Sequence, residues 1–135
     1  GPERDVFTDR LMDIWQSRNP SATEAAAAVE RGKREGAPLV VTVVSRAAEH
    51  PKIPVWEQEL SAGAVCMNLV HAVHAGGDAA QWLTGWPAYD PEVARLLGLK
   101  AGERIAGFVH IGTPAEAPVE RDRPELGSIV VRWIG

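Results

Sequence analysis

His71 and His74 stand three residues apart, a spacing that would turn two imidazoles toward one side of a helix and a shared metal ion. Neither an H-E-x-x-H pattern nor a cysteine cluster supplies the further ligands, so the sequence predicts two helix histidines and no metal site. Cys66 would need a stabilised thiolate to act as a nucleophile, and its neighbours Val65 and Met67 offer no charge for that. A packed thiol is expected. Ser45 and Ser61 lack the G-x-S-x-G bend of a hydrolase. Glu57 and Glu59 fall at an expected helix start, where free amides and the macrodipole favour carboxylates whatever the function.

Two stretches suit the holding of a ligand. Arg121 and Arg123 flank Asp122, and two guanidinium forks at that spacing could clamp a phosphate or simply stay solvated. The run Trp82-Leu83-Thr84-Gly85 could bring backbone amides close to a planar ligand, because glycine removes the side chain that would block approach. An ordinary exit from a strand fits that run equally well. There is no G-x-G-x-x-G after a strand and no Walker sequence, so a cofactor would have to be held in another way. No residue stands out as an acid, base or nucleophile, and the expected set of catalytic side chains is empty.

The elements that would position these groups follow from periodicity and punctuation. Val6, Phe7, Leu11, Ile14 and Trp15 recur at helical spacing between Glu3 and Arg18, and Asn19-Pro20 ends that helix. Ser21 and Thr23 offer caps to a second helix, EAAAAVERGKRE, closed by Gly36 and Pro38. Leu39 to Val44 is apolar on both faces, which predicts a central strand buried on two sides. Pro54 opens a long helix that runs to Gly76-Gly77 with few charges beyond its first turn. Such a helix should be buried all round, either inside one subunit or between two. AAQWLTG is expected as a strand, EVARLLGL as a short helix after Asp90-Pro91, and RIAGFVHIG as a strand ending at Gly112. TPAEAPVERDRPELG reads as an exposed arm, and Ser128 to Trp133 as a last strand.

Composition narrows the function classes. The 135 residues suit one domain, and a net charge of -4 with 45% hydrophobic and 24% charged content describes a globular protein without the basic face that nucleic acid demands. A lone cysteine excludes an internal disulfide and suits a reducing, cytoplasmic compartment. No apolar run reaches the roughly 20 residues of a membrane span. The first residues, Gly1-Pro2, include no initiator Met, as in a trimmed or excised chain.

The stretch from Pro51 to Pro114 resembles the nitroreductase family of FMN-dependent oxidoreductases, in its branch of small enzymes named as NAD(P)H nitroreductases. The features that carry the resemblance are P-x-W-E-Q-E-L-S-A-G at the helix entry, Asn68 on the long helix, the W-L-T-G turn, the L-G-L-x-x-G-E-R-I-A-G-F passage and H-I-G-T-P at its close. Residues 3 to 50 are similar to the preceding part of that family. The resemblance implies an α+β sandwich, its central mixed sheet flanked by helices, with residues 1–135 forming a single domain equivalent to the C-terminal two-thirds of the family's. Relatives carry about fifty further residues ahead of this point, including an Arg-Arg-Ser helix that grips the cofactor. The chain is therefore expected to be N-terminally truncated, and its own grip on FMN to be reduced.

By the same resemblance, the chain should form a homodimer with FMN at the interface and pass hydride from NAD(P)H through the flavin to a nitroaromatic, quinone or similar small-molecule acceptor. Trp82, Leu83, Thr84 and Gly85 would run beside the isoalloxazine and turn amide hydrogens toward its N5 and O4 edge, where donors favour the charge that hydride transfer brings. Arg121 and Arg123 would contact the FMN phosphate. Nucleic acid and membranes are not expected partners. The alternative is a dimerisation module of the same fold that has lost FMN binding and uses the long apolar helix as its interface.

Overall fold

Punctuation by proline, glycine and short polar caps divides the chain into the elements expected of it, and the computed structural model describes residues 1–134 of them. Helix α1 spans Pro2–Arg18, with proline in its first turn where no amide partner is lost, and buries Thr8, Leu11 and Met12. Helix α2, Glu24–Glu35, starts at Thr23, whose hydroxyl accepts from the Ala26 amide. Strand β1 is Leu39–Ser45, and helix α3 is Val55–Ala75. Strand β2, Ala79–Leu83, leads through a single 3-10 turn at Trp86–Ala88 into helix α4, Pro91–Leu96. The Asp90 carboxylate caps α4 by accepting from the Glu92 and Val93 amides. Strand β3 is Arg104–Gly112, and a single-turn helix α5 covers Leu126–Ile129.

The three strands form one sheet in the order β1-β3-β2. The architecture is α+β, but the mixed sheet expected from the resemblance is antiparallel throughout, because β3 runs between two strands that share the opposite direction. The expectation that β1 would be central is also corrected. The middle place belongs to β3, where Ile105, Phe108 and Val109 are buried, while the residues of β1 are mostly half-buried at the sheet's edge. The β-branched run of β1 reflects a pleated strand covered on both faces, which an edge strand satisfies as well as a central one.

Helix layers cover the two faces of the sheet. On one side α3 packs across all three strands. On the other, Leu11, Val93, Ile105 and Phe108 form the buried core, with Phe7, Ile14, Val40, Trp86 and Leu97 packed against it. A bulge between Val43 and Val44 shifts the register, so that Thr42 faces Phe108 while Val44 faces Ile105.

Helix α3 departs from the expectation of burial all round. Cys66 is its one buried residue, and Trp56, Leu60, Val65 and Met67 are exposed. The helix has only one sheet to lie on, so a stripe faces inward and the rest of its apolar surface faces outward. Within the described residues, α3 is therefore covered on one side only. Ser128 to Trp133 is not a strand: the turn of α5 occupies its start, and Val131 and Trp133 are 89% and 87% exposed. With no strand edge alongside, β-branched residues alone form no ladder. No described helix is long and apolar enough to cross a membrane.

Candidate functional site

The Trp82–Trp86 bend begins where β2 leaves the sheet, with Leu83 still paired to Phe108. Gly85 adopts φ +67°, a left-handed conformation that favours glycine, and a side chain there would meet only Pro87 Cδ and Arg34 Nη2 within ordinary contact distance. Downstream the chain is fixed at once. The Ala88 amide donates to the Gly85 carbonyl, the Tyr89 amide donates to the Trp86 carbonyl, and Pro87 is buried. Thr84 is half-buried and Gly85 exposed, and among the described residues neither amide donates a hydrogen bond. The bend thus presents two adjacent backbone donors at a place open to a ligand.

The two tryptophans of the bend are held in different ways. Trp82 lies on the α3 side, its ring beside Gly63 and over Gly107, and its Nε1 donates to the Ala106 carbonyl at 3.1 Å. A Cβ on Gly107 would overlap the indole, so that strand position accepts only glycine while Trp82 is in place. Trp86 turns to the other side of the sheet, where Nε1 donates to Glu30 Oε1 at 2.8 Å.

Glu30 is the residue that sequence reasoning passed over. It is 6% exposed, and its carboxylate also accepts from Lys33 Nζ and Arg34 Nη2, each at 2.8 Å. Burial raises the pKa of this carboxyl, but the hydrogen bonds from Lys33, Arg34 and Trp86 outweigh it and hold the group down at about 2. The basic residues three and four positions on were the available signal, since they mark a carboxylate with local partners.

Beside this cluster lies a cavity of about 380 Å³ between the start of α1 and the outer face of the sheet. Phe7, Leu11, Val40 and Phe108 give it an apolar wall, and Arg34 and His110 give it polar groups. Arg34 Nε is buried and, among the described residues, has no hydrogen-bond partner. Burial, and then the Arg34 charge, lower the His110 imidazole below its ordinary pKa and so favour its neutral form.

The other expected residues are not drawn to the bend. Arg121 and Arg123 lie in the exposed arm, where Arg123 donates to the Arg121 carbonyl and pairs with Glu120 at 2.7 Å. His74 Nε2 accepts from the Ala80 amide at 3.2 Å, which ties the end of α3 to β2, and His71 is exposed. Among the described residues no three His, Cys, Asp or Glu side chains converge as a metal site would require. Burial raises the Cys66 thiol above its ordinary pKa. Glu57 sits in the first turn of α3, and Glu59 pairs with Arg104 at 3.2 Å.

A profile of the Nitroreductase family matches residues 3–113. "Putative NAD(P)H nitroreductase YdjA" of Escherichia coli (strain K12) is 40% identical over 78 residues, 58% of this chain and 43% of that protein. "Putative NAD(P)H nitroreductase" of Haemophilus influenzae (strain ATCC 51907 / DSM 11121 / KW20 / Rd) is 33% identical over 81 residues, 59% of this chain and 44% of that protein. The match therefore spans less than half the length of these relatives. The crystal structure of the nitroreductase-like family protein from Bacillus cereus shares the fold at a TM-score of 0.79 and 22% identity, over 100% of this chain and 70% of that one.

Proposed function

The chain belongs to the nitroreductase family, and from that premise we propose that it is the flavin-holding part of an FMN-dependent oxidoreductase that takes hydride from NAD(P)H and reduces a small acceptor such as a nitroaromatic or quinone. One observation carries this reading: among the described residues the Thr84 and Gly85 amides have no protein acceptor, at an open bend that a positive-φ glycine leaves uncovered. Bound FMN would supply the hydride-accepting ring. The protein's own contribution is placement. Fixed amides cost no reorganisation when charge develops beside them, so donors at the bend favour the reduced ring over the oxidised one.

The fit is good at the ring and depends on the arm for the phosphate. Trp82 and Trp86 brace the bend from opposite faces of the sheet. Arg121 and Arg123 are proposed to take the phosphate, for which Arg123 must release the exposed contacts with Glu120 and the Arg121 carbonyl. Exposed pairs of that kind hold weakly in water and yield to a dianion. The exposed apolar face of α3 is proposed as the surface shared by two copies, as a homodimer requires. A cytoplasmic location is in keeping with the single reduced cysteine.

The second reading, a dimerisation module without flavin, draws on the same apolar face and on the Arg123 guanidinium being engaged within the arm. Titration of FMN into the chain, followed by flavin fluorescence and light scattering, separates the two. Saturable quenching that Gly85→Val weakens on the order of tenfold or more supports the flavin reading. A dimer that leaves FMN fluorescence unchanged supports the module and overturns the oxidoreductase assignment for this chain.

A further inference from the structure

Between Leu83, the last residue paired in β2, and the 3-10 turn that starts at Trp86, the bend is held sideways by a polar tether from α2. That tether is the Glu30 carboxylate. Its Oε1 accepts from both Trp86 Nε1 and Arg34 Nη2 at 2.8 Å, while Oε2 accepts from Lys33 Nζ at 2.8 Å. Three donors converge on an acid that is almost wholly buried, and hydrogen bonds to an ionised acceptor are the short, strong kind. Arg34 completes the arrangement: its Nη2, fixed by Glu30, would lie 3.8 Å from a side chain built on Gly85. The guanidinium therefore backs the bend at the residue where the chain turns left-handed.

We infer that Glu30 is a positioning residue for the cofactor bend, acting through the Trp86 indole and the Arg34 guanidinium to fix the direction of the Thr84 and Gly85 amides. This rests on the reading that those amides face the flavin. Helix α2 carries the anchor because its inward stripe is Ala27, Glu30, Arg31 and Arg34, while Val29 on the same helix is 64% exposed. An inward face built of charge in place of aliphatic packing gives directional contacts, which set an angle where apolar contacts would only fill space. Without an acceptor at position 30, Trp86 and Arg34 would each lose a partner, and the bend would be held by the pairing of Leu83 with Phe108 and the apolar packing of Trp86, which set its angle less tightly.

The test uses the full chain as wild type and as Trp86→Phe, Glu30→Gln and Glu30→Leu, read by hydrogen exchange of the Ala88 and Tyr89 amides, which donate to the Gly85 and Trp86 carbonyls, relative to the β3 amides, and by FMN affinity. Trp86→Phe keeps an aromatic ring but removes the N–H donor with the pyrrole part of the indole, and it decides the matter should Glu30→Leu fail to fold. Positioning predicts exchange at the bend rising about tenfold in Trp86→Phe and Glu30→Leu with β3 unchanged, and FMN affinity falling by a similar factor. Glu30→Gln, which retains an acceptor oxygen for Trp86, restores most of both. Equal acceleration at the bend and in β3 means a general loss of stability and overturns the inference. So does an unchanged bend, or a loosened bend with unchanged FMN affinity. If the bend loosens as described but no form, wild type included, takes up FMN, the tether stands and it is the flavin reading that falls.

Discussion

Trp82 on β2 occupies the space that any side chain on Gly107 of β3 would need, and the two residues are diagonal neighbours on the α3 face of the sheet. The indole caps this spot by donating to the Ala106 carbonyl and reaching Gly63 on α3, so one side chain joins two strands and a helix.

Gly107→Ala must therefore displace the indole. The expected cost is about 1–3 kcal/mol, the usual range for an added methylene in a packed site, read as a lower urea midpoint with unchanged slope. Combining it with Trp82→Leu should cost less than the sum of the two single changes, since the smaller side chain relieves the overlap. Additivity would show that the two positions do not compete for space.

Acid should weaken the protein through Glu30. Its folded pKa, about 2, lies below the unfolded value of 4.5, so its contribution is fully present above pH 4.5 and is lost as pH falls toward 2. A shift of that size corresponds to roughly 2–4 kcal/mol between neutral pH and pH 2. Glu30→Gln should flatten the acid limb of a stability curve measured by urea denaturation between pH 7 and 2.

The outward face of α3 predicts association. Leu60 and Val65 are 53% and 52% exposed on a helix with few charges beyond its first turn. Leu60→Glu with Val65→Glu should halve the mass seen by light scattering and leave the thermal midpoint of the isolated subunit nearly unchanged, because neither side chain faces the sheet. A wild-type chain that is already monomeric at high concentration would remove the basis for this expectation.

Cys66 should behave as core. The side chain is fully buried against the sheet and burial holds its thiol in the protonated form, so a disulfide reagent should label it slowly in the native state and at once in denaturant. Fast native labelling would mean that α3 lifts from the sheet on the timescale of the reaction.

The elements were legible because their signals are local. Asp90-Pro91 announces its helix from the cap and the proline, and Arg104 to Gly112 is a mostly apolar run that ends at a glycine, as a buried strand does. Sheet order was not legible, since which of Leu39–Ser45 and Arg104–Gly112 lies in the middle depends on pairing between segments far apart in sequence. Ser128 to Trp133 shows the same limit from the other side, as a β-branched stretch with no partner strand to make it one. The W-L-T-G bend was visible from its glycine and its resemblance. Glu30 was not, because propensity and caps mark α2 without saying which face turns inward, and the helix turns its charges in. A buried charge is worth its place only with its partners, and two of the three come from α2 itself while the third comes from Trp86.

The position of β3 between β1 and β2 bears on how the polypeptide is made. As the ribosome releases the chain from its N-terminus, β1 emerges with β3, the strand it pairs with among the described residues, still unsynthesised, and it stays so through the whole of α3, β2 and α4. Only when the last of the three strands appears can the sheet zip up, and distant pairings of this kind are the slow ones. For that interval a β-branched, uncharged segment is bare to solvent or to a chaperone, which makes Leu39 to Ser45 the place where aggregation of the nascent chain would begin.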